Sequence, residues 1–454
     1  MLLKRTAQAA FLALVLGAVG LGLAWTAHAL SWTKVTVDDT VNVDYTSIAA
    51  TADGRLVVSY RNSTNGDLMF TMCDLPGTGC DADTDWLTPV TVDSGGQLGR
   101  DTSIAVNANG DPVISYYDAA PNDDLRFAIC DLSATGCDQD TDWTKYTVDS
   151  GGQVGQYSSI AVDANGDPVI SYNDAGSDDL KFARCDMSAT SCDQDTDWTL
   201  KYTVDSSGTA GQHNSIAVNA DGDPMIAYRD GTTLAFAICD MSATGGCDAA
   251  GDWTKDIQVH GTGGEYTSIA VDGNGDPMIS DYNAGTLRFA RCDMSTGCSG
   301  AGNWTVKYTV DSGTVGQYTS LASYGSAVVI SYYANGDLKF AKCGLASGCD
   351  ADTDWIVETA DSQDDVGTFS SVAIRDWTAA VSYQNATNGD LKVALAYMEP
   401  YSVGGIAELP DIAQAPASHS GPSTGTYAAL AGGLAAAVLA LGAGAWYARR
   451  RWVR

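Results

Sequence analysis

The chain has 454 residues, with Lys+Arg 24 against Asp+Glu 56 and a formal net charge of -32. Nucleic acid is held by clustered Lys and Arg, so this acidic balance argues against a phosphate backbone as partner. The only glutamates are at 265, 358, 399 and 408; aspartate prefers turns to helices, and with Gly 49, Tyr 21 and 45% hydrophobic residues the composition points to an ordered, turn-rich all-β protein.

In chain order, residues 1–29 carry Lys4 and Arg5, an apolar run from Ala9 to Trp25, and Ala27-His28-Ala29, the small-x-small pattern of a signal-peptidase site. The mature chain is expected to begin near Leu30. A tryptophan then opens each of seven units, at 32, 86, 143, 198, 253, 304 and 355. Every unit repeats four short apolar stretches, as in Trp143 to Val148, Ser159 to Val162, Pro168 to Tyr172 and Leu180 to Cys185. Alternation and β-branched or aromatic content make them strands. Between the second and third stretches, Asp163-Ala164-Asn165-Gly166-Asp167 supplies an Asn-Gly hairpin turn, and Pro168 stands where a strand can begin.

Four antiparallel strands recurring at about 50 residues is the period of a propeller blade. The reading is therefore a seven-bladed β-propeller over 30–397. If Ser-Ile-Ala-Val is the innermost strand, the tryptophan strand is the outermost. The first of these, 32 to 37, is then an orphan, and the last unit, ending with Leu391 to Tyr397, lacks an outer strand. Pairing the two would close the ring.

The text Ser-Ile-Ala-Val-x-x-x-Gly-Asp-Pro-x-Ile-Ser-Tyr, at 103 to 116 and 159 to 172, resembles the repeats of secreted and surface-bound bacterial and archaeal β-propellers loosely grouped with the BNR-repeat sialidase superfamily. The resemblance covers residues 32 to 397 and implies a propeller at the cell exterior; it does not imply one activity. The Asp-box pattern Ser-x-Asp-x-Gly-x-x-Trp is absent, and sialidase domains have six blades.

Residues 398–426, with Pro400, Pro410, Pro416 and Pro422, read as an extended stalk. Tyr427 to Ala448 has no charge and is long enough for a transmembrane anchor. Residues 449–454 follow as a basic tail, with Arg449, Arg450, Arg451 and Arg454, which the positive-inside rule places in the cytoplasm. Leu409-Pro410-Asp411 matches the start of a sortase motif, but Ile412-Ala413 replaces its Thr-Gly, so a retained membrane anchor is the expectation.

The cysteines fall into six local pairs: Cys73 with Cys80, Cys130 with Cys137, Cys185 with Cys192, Cys239 with Cys247, Cys292 with Cys298, and Cys343 with Cys349. In an exported chain these are expected disulfides, each serving mostly to pin the loop that leads into a tryptophan strand. After them come alternating carboxylates: Asp81, Asp83, Asp85; Asp138, Asp140, Asp142; Asp193, Asp195, Asp197; and Asp350, Asp352, Asp354. Such triplets could surround Ca²⁺, or they could be solvated turn residues capping backbone amides. No other cofactor is expected.

Two loop sets share one face of the propeller. Loops leading into the innermost strand present Asp44-Tyr45, Arg100-Asp101, Gln156-Tyr157, Gln212-His213, Glu265-Tyr266, Gln317-Tyr318 and Thr368-Phe369; the second-to-third links present Arg61, Tyr117, Asn173, Arg229, Tyr282, Tyr333 and Gln384. Tyr45, Arg100, Tyr157, His213, Tyr266 and Tyr318 are the candidate ligand contacts, able to stack on and hydrogen-bond a sugar or peptide; repeated blade-to-blade packing is the alternative. The catalytic alternative is sialidase-like: Arg61, Arg100 and Arg229 clamping a carboxylate, Tyr282 as nucleophile with Glu265 as base, and Asp44 or Asp101 as acid. The expected role is adhesion or ligand binding at the cell surface, glycans included, or a structural surface component; the competing class is a sialidase-like glycoside hydrolase.

Overall fold

The computed structural model describes residues 29–399, apart from 191, 193, 244, 245, 346 and 347. Of the expected signal peptide, 1–29, only residue 29 is described, and of the expected stalk, 398–426, only residues 398 and 399; the expected anchor, 427–448, and basic tail, 449–454, lie outside the described residues. Among those described, no helix is long and apolar enough to cross a membrane. The chain builds seven four-stranded antiparallel sheets. Their innermost strands, in blades one to seven, are Val43–Ala50, Gln97–Val106, Val154–Val162, Ala210–Val218, Glu265–Val271, Val315–Tyr324 and Val366–Arg375. The orphan strand Thr33–Asp38 pairs with Leu391–Tyr397 and completes blade seven, with Val35 opposite Val393.

The repeat text has a physical reading. In Ser-Ile-Ala-Val the isoleucine enters the core between blades, while the serine hydroxyl turns to the neighbouring inner strand. Ser47 Oγ accepts from the Ile104 backbone N–H at 3.1 Å, and Ser103, Ser159, Ser215, Ser268 and Ser320 repeat the contact around the ring. Ser371 Oγ closes it on the Ile48 N–H at 3.2 Å. These bonds satisfy backbone donors at inner-strand edges that would otherwise be buried and unpaired. Further out, six of the seven tryptophans meet the preceding blade's phenylalanine edge to face, as Trp143 does on Phe70 at 4.8 Å and Trp198 on Phe127 at 5.0 Å, whereas Trp86 lies in a core with Val393 of blade seven.

A buried tyrosine spans six of the seven blade boundaries. Tyr60, Tyr116, Tyr172, Tyr228, Tyr332 and Tyr383 donate their hydroxyls to Asp38, Asp93, Asp149, Asp205, Asp311 and Asp361. Each aspartate ends the outer strand of the preceding blade. At the boundary of blades four and five both partners change: Asp281 stands at the tyrosine position and His260 at the aspartate position.

All six expected disulfides are formed: Cys73 to Cys80, Cys130 to Cys137, Cys185 to Cys192, Cys239 to Cys247, Cys292 to Cys298, and Cys343 to Cys349. Their role as mere loop pins needs correction. The second cysteine of each pair is buried and belongs to the apolar core beside the tryptophan that follows it: Cys80 with Trp86, Cys137 with Trp143, Cys192 with Trp198, Cys247 with Trp253, Cys298 with Trp304, and Cys349 with Trp355. The bridge therefore draws the link inward and supplies core volume under the outer strand, because a bonded cysteine packs as a small hydrophobe.

Candidate functional site

The inner strand of every blade carries a β-bulge, and the bulged residue has positive φ: Tyr45 (49°), Asp101 (49°), Tyr157 (55°), His213 (48°), Tyr266 (51°), Tyr318 (53°) and Phe369 (53°). Positive φ at non-glycine residues is costly and persists where the surroundings impose it. In blade three a glycine two residues earlier sets the path. A Cβ on Gly155 would sit 2.8 Å from Leu125 Cα, so the strand can cross the preceding blade at this depth only with hydrogen in that place. The bulge then aims one side chain per blade at the mouth of the central channel.

Six of these seven side chains are rings, and they form a collar. Tyr157 packs against His213 at 4.6 Å, His213 against Tyr266 at 5.1 Å, Tyr266 against Tyr318 at 4.7 Å, Tyr318 against Phe369 at 4.7 Å and Phe369 against Tyr45 at 4.8 Å, with the rings of each pair tilted by 44° to 55°. The collar is open at one place, between Tyr45 and Tyr157, where blade two puts Asp101. A cavity of about 320 Å³ lies at this gap, lined by Tyr45, Gln97, Arg100, Asp101, Tyr117, Ala119, Ala120, Asp123, Gln156 and Tyr157. A smaller one of about 160 Å³ is lined by residues that include Asp101, Tyr157, His213 and Tyr266.

The second-strand residues are a second, outer ring. Each lies opposite its inlet-loop partner in the ladder: Asp44 with Arg61, Arg100 with Tyr117, Gln156 with Asn173, Gln212 with Arg229, Glu265 with Tyr282, Gln317 with Tyr333 and Thr368 with Gln384. Several knit blades together. Arg61 pairs with Asp44 at 2.9 Å and reaches Gln97 of blade two at 2.9 Å; Arg229 binds Glu265 of blade five at 3.1 Å. Of the three arginines in the sialidase-like set only Arg100 lines the cavity. Glu265 spends its carboxylate on Arg229, and Tyr282 sits beside Tyr266 with ring centres 6.1 Å apart. The outer ring therefore packs blade against blade, and the inner ring forms a collar with one gap.

Electrostatics sharpen the gap. Burial raises the Asp101 carboxyl to about 6 against the pull of the Tyr157 backbone N–H and of Arg100. Burial raises the Asp44 carboxyl too, despite Arg61. The Tyr45 and Tyr266 phenols are pushed up, by burial first and by neighbouring charge or hydroxyl second, and burial with its bond to Asp123 takes Tyr117 to about 12. These tyrosines are proton donors and apolar faces at neutral pH, not bases.

His213 is held neutral: burial and the nearby Arg229 lower it from 6.5 to about 4. The unfolded chain takes up that proton first, so this contribution to stability is intact above pH 6.5 and lost as pH falls towards 4. The loss is at most about 3 kcal/mol. Asp101 acts oppositely, since its folded form is protonated first as pH falls through 6. Replacing His213→Phe, the residue at the equivalent position 369, is expected to raise the melting temperature at pH 4.5 relative to wild type while changing it little at pH 7.5. Equal shifts at both pH values would refute the linkage.

The aspartate triplets have a local structural task. The last carboxylate of each caps a short 3₁₀ turn: Asp85 accepts from Ala82 N–H at 2.9 Å, Asp142 from Gln139 at 3.0 Å, Asp197 from Gln194 at 3.1 Å and Asp354 from Ala351 at 2.9 Å. Asp83 caps Thr84, and Asp140 meets Lys145. Asp193 lies outside the described residues. Among those described, no three His, Cys, Asp or Glu side chains group so as to hold a metal ion.

No protein-family model matches the chain, and no curated protein matches it. Solved structures do. The polysaccharide lyase Uly1 superposes with a TM-score of 0.51 at 10% identity, over 82% of this chain and 100% of that one. An ulvan lyase of a new polysaccharide lyase family gives 0.48 at 13% identity, over 79% and 93%, and the Dos1 propeller gives 0.49 at 8%, over 80% and 94%. At these identities the likeness is one of fold.

Proposed function

We propose that this chain is a ligand-binding propeller of the cell exterior, held at the membrane by its C-terminal segment, whose channel mouth takes a glycan. The observation that carries the reading is the collar: six rings packed at a tilt on one another, with a polar gap and a cavity of about 320 Å³ beside it. Ring faces pack against the apolar C–H faces of a pyranose, while Asp101, Gln97 and Gln156 offer hydroxyl partners. Six disulfides support an oxidising, external compartment. The same fold carries a polysaccharide lyase, so a glycan site on a propeller has a precedent in kind.

The geometry favours binding over the hydrolase alternative, because Arg61, Arg229 and Glu265 are engaged in ion pairs and the collar phenols are held protonated. A glycan array probed with the full chain, with released sugar assayed in the same wells, tests this. Saturable binding without product is expected, weakened at least tenfold by Tyr157→Ala and unchanged by Glu265→Gln. Product release abolished by Glu265→Gln would replace this reading with the hydrolase.

A further inference from the structure

The gap in the collar has a composition of its own. Three tyrosines, Tyr45, Tyr117 and Tyr157, wall the cavity, and two carboxylates, Asp101 and Asp123, stand among them. Asp123 accepts the Tyr117 hydroxyl and keeps its second oxygen. Asp101 accepts a backbone N–H from Tyr157, and among the described residues it has no ion pair; Arg100 and Asp44 act on it only through charge. It differs in this from the aspartates at the blade boundaries, such as Asp149 and Asp361, which are matched by Lys181 and Lys392 at 2.6 and 2.5 Å. Aromatic faces around an under-neutralised carboxylate attract a cation through both the ring quadrupole and direct charge.

We propose that this cavity binds a protonated amine on a sugar, the ammonium seated against Asp101 and Asp123 and the ring against Tyr45, Tyr117 and Tyr157. This rests on the glycan reading above and specifies the substrate class within it. The overall charge of -32 draws cations and repels acidic glycans. Arg100 is exposed at the rim and opposes the ammonium. Its removal therefore separates the amine from an acidic sugar, for which Arg100 would be the anchor.

The test is calorimetric titration of the full chain at pH 6.5 with a glucosamine tetramer, its N-acetylated counterpart and N-acetyl-lysine amide. The glucosamine tetramer is expected to bind at least tenfold more tightly than the acetylated one, with affinity falling as salt is raised from about 50 to about 500 mM. Asp101→Asn and Asp123→Asn should each bring the two tetramers within about threefold, and Arg100→Ala, which removes the opposing charge, should tighten amine binding. Near-UV circular dichroism identifies any variant that fails to fold, and the salt dependence of the wild type reads out the same charge without a substitution. Equal or tighter binding of the acetylated tetramer, or loss of binding in Arg100→Ala, overturns the amine while leaving the glycan reading in place. Binding of the lysine derivative with neither tetramer overturns the sugar and points to a protein ligand. No binding of any of the three overturns the proposal.

Discussion

Deleting residues 30–38 is expected to destabilise the propeller by more than about 5 kcal/mol, a large share of a domain's total stability. The segment is short, but it is the outer strand of blade seven. Val35 and Asp38 are buried, Trp32 packs edge to face on Phe340 at 4.9 Å, and the Leu30 N–H donates to Glu358 at 2.8 Å. Removing it also strips Tyr60 of its buried acceptor, Asp38, and leaves Leu391–Tyr397 as a bare sheet edge. Differential scanning calorimetry of the deletion should show a melting temperature lowered by more than about 10 °C, or no cooperative transition. A permutant that carries residues 30–38 after Tyr397, on a linker like that between Cys130 and Trp143, should melt near wild type because the same strand then reaches the same edge from the other direction. A deletion that melts within about 2 °C of wild type would show that the ring is closed by other means.

The second large effect is expected at the altered blade boundary. Asp281 is fully buried; it accepts from Arg288 Nε at 3.2 Å and from the Gly264 N–H at 3.0 Å, and His260 Nδ1 lies 3.5 Å away. Burial raises its carboxyl, but the bonds from His260 and Arg288 outweigh that and hold it below the usual range. The stability it contributes is thus present above the unfolded carboxyl value of 3.8 and lost as pH falls through the lower folded one. Asp281→Asn leaves the Arg288 guanidinium buried without its counter-charge, at an expected cost of about 3–5 kcal/mol.

The double change Asp281→Tyr, His260→Asp should recover most of that loss. It rebuilds the arrangement of blade two, where Tyr116 donates to Asp93 at 2.6 Å and Arg126 pairs with the same aspartate at 3.3 Å. Either single change alone should be costly, Asp281→Tyr because Arg288 loses its carboxylate and His260→Asp because two carboxylates then face one guanidinium. Chemical denaturation of the four proteins measures the coupling. Additive costs, with no recovery in the double variant, would mean that the boundary does not obey the rule of the other six.

Much of this was legible in the chain itself. Seven tryptophans at near-constant spacing set the blade count, the orphan at 32 to 37 with the missing last strand set the closure, and neighbouring cysteines set the disulfides. All three rest on local sequence or on repetition, and a repeat that must stack on its own copies leaves few other ways to bury its apolar face. The candidate ligand residues Tyr45, Tyr157, His213, Tyr266 and Tyr318 were legible for the same reason, as one column of the repeat. That Cys80, Cys137 and their equivalents join the core beside the tryptophans was not, since pairing follows from spacing but burial depends on what the neighbouring blade covers.

Which member of each adjacent pair faces the channel was likewise decided only in three dimensions. In blade two the candidate ligand contact was Arg100, yet the bulge gives the collar position to Asp101 and leaves Arg100 at the rim. A strand alternates faces at every residue, so a single bulge exchanges the two neighbours, and the bulge itself accompanies the close crossing of the inner strand over the preceding blade. The repeat column already held the signal, one aspartate among six rings. Its meaning, a gap in a collar of packed side chains, exists only once the first blade and the seventh are neighbours.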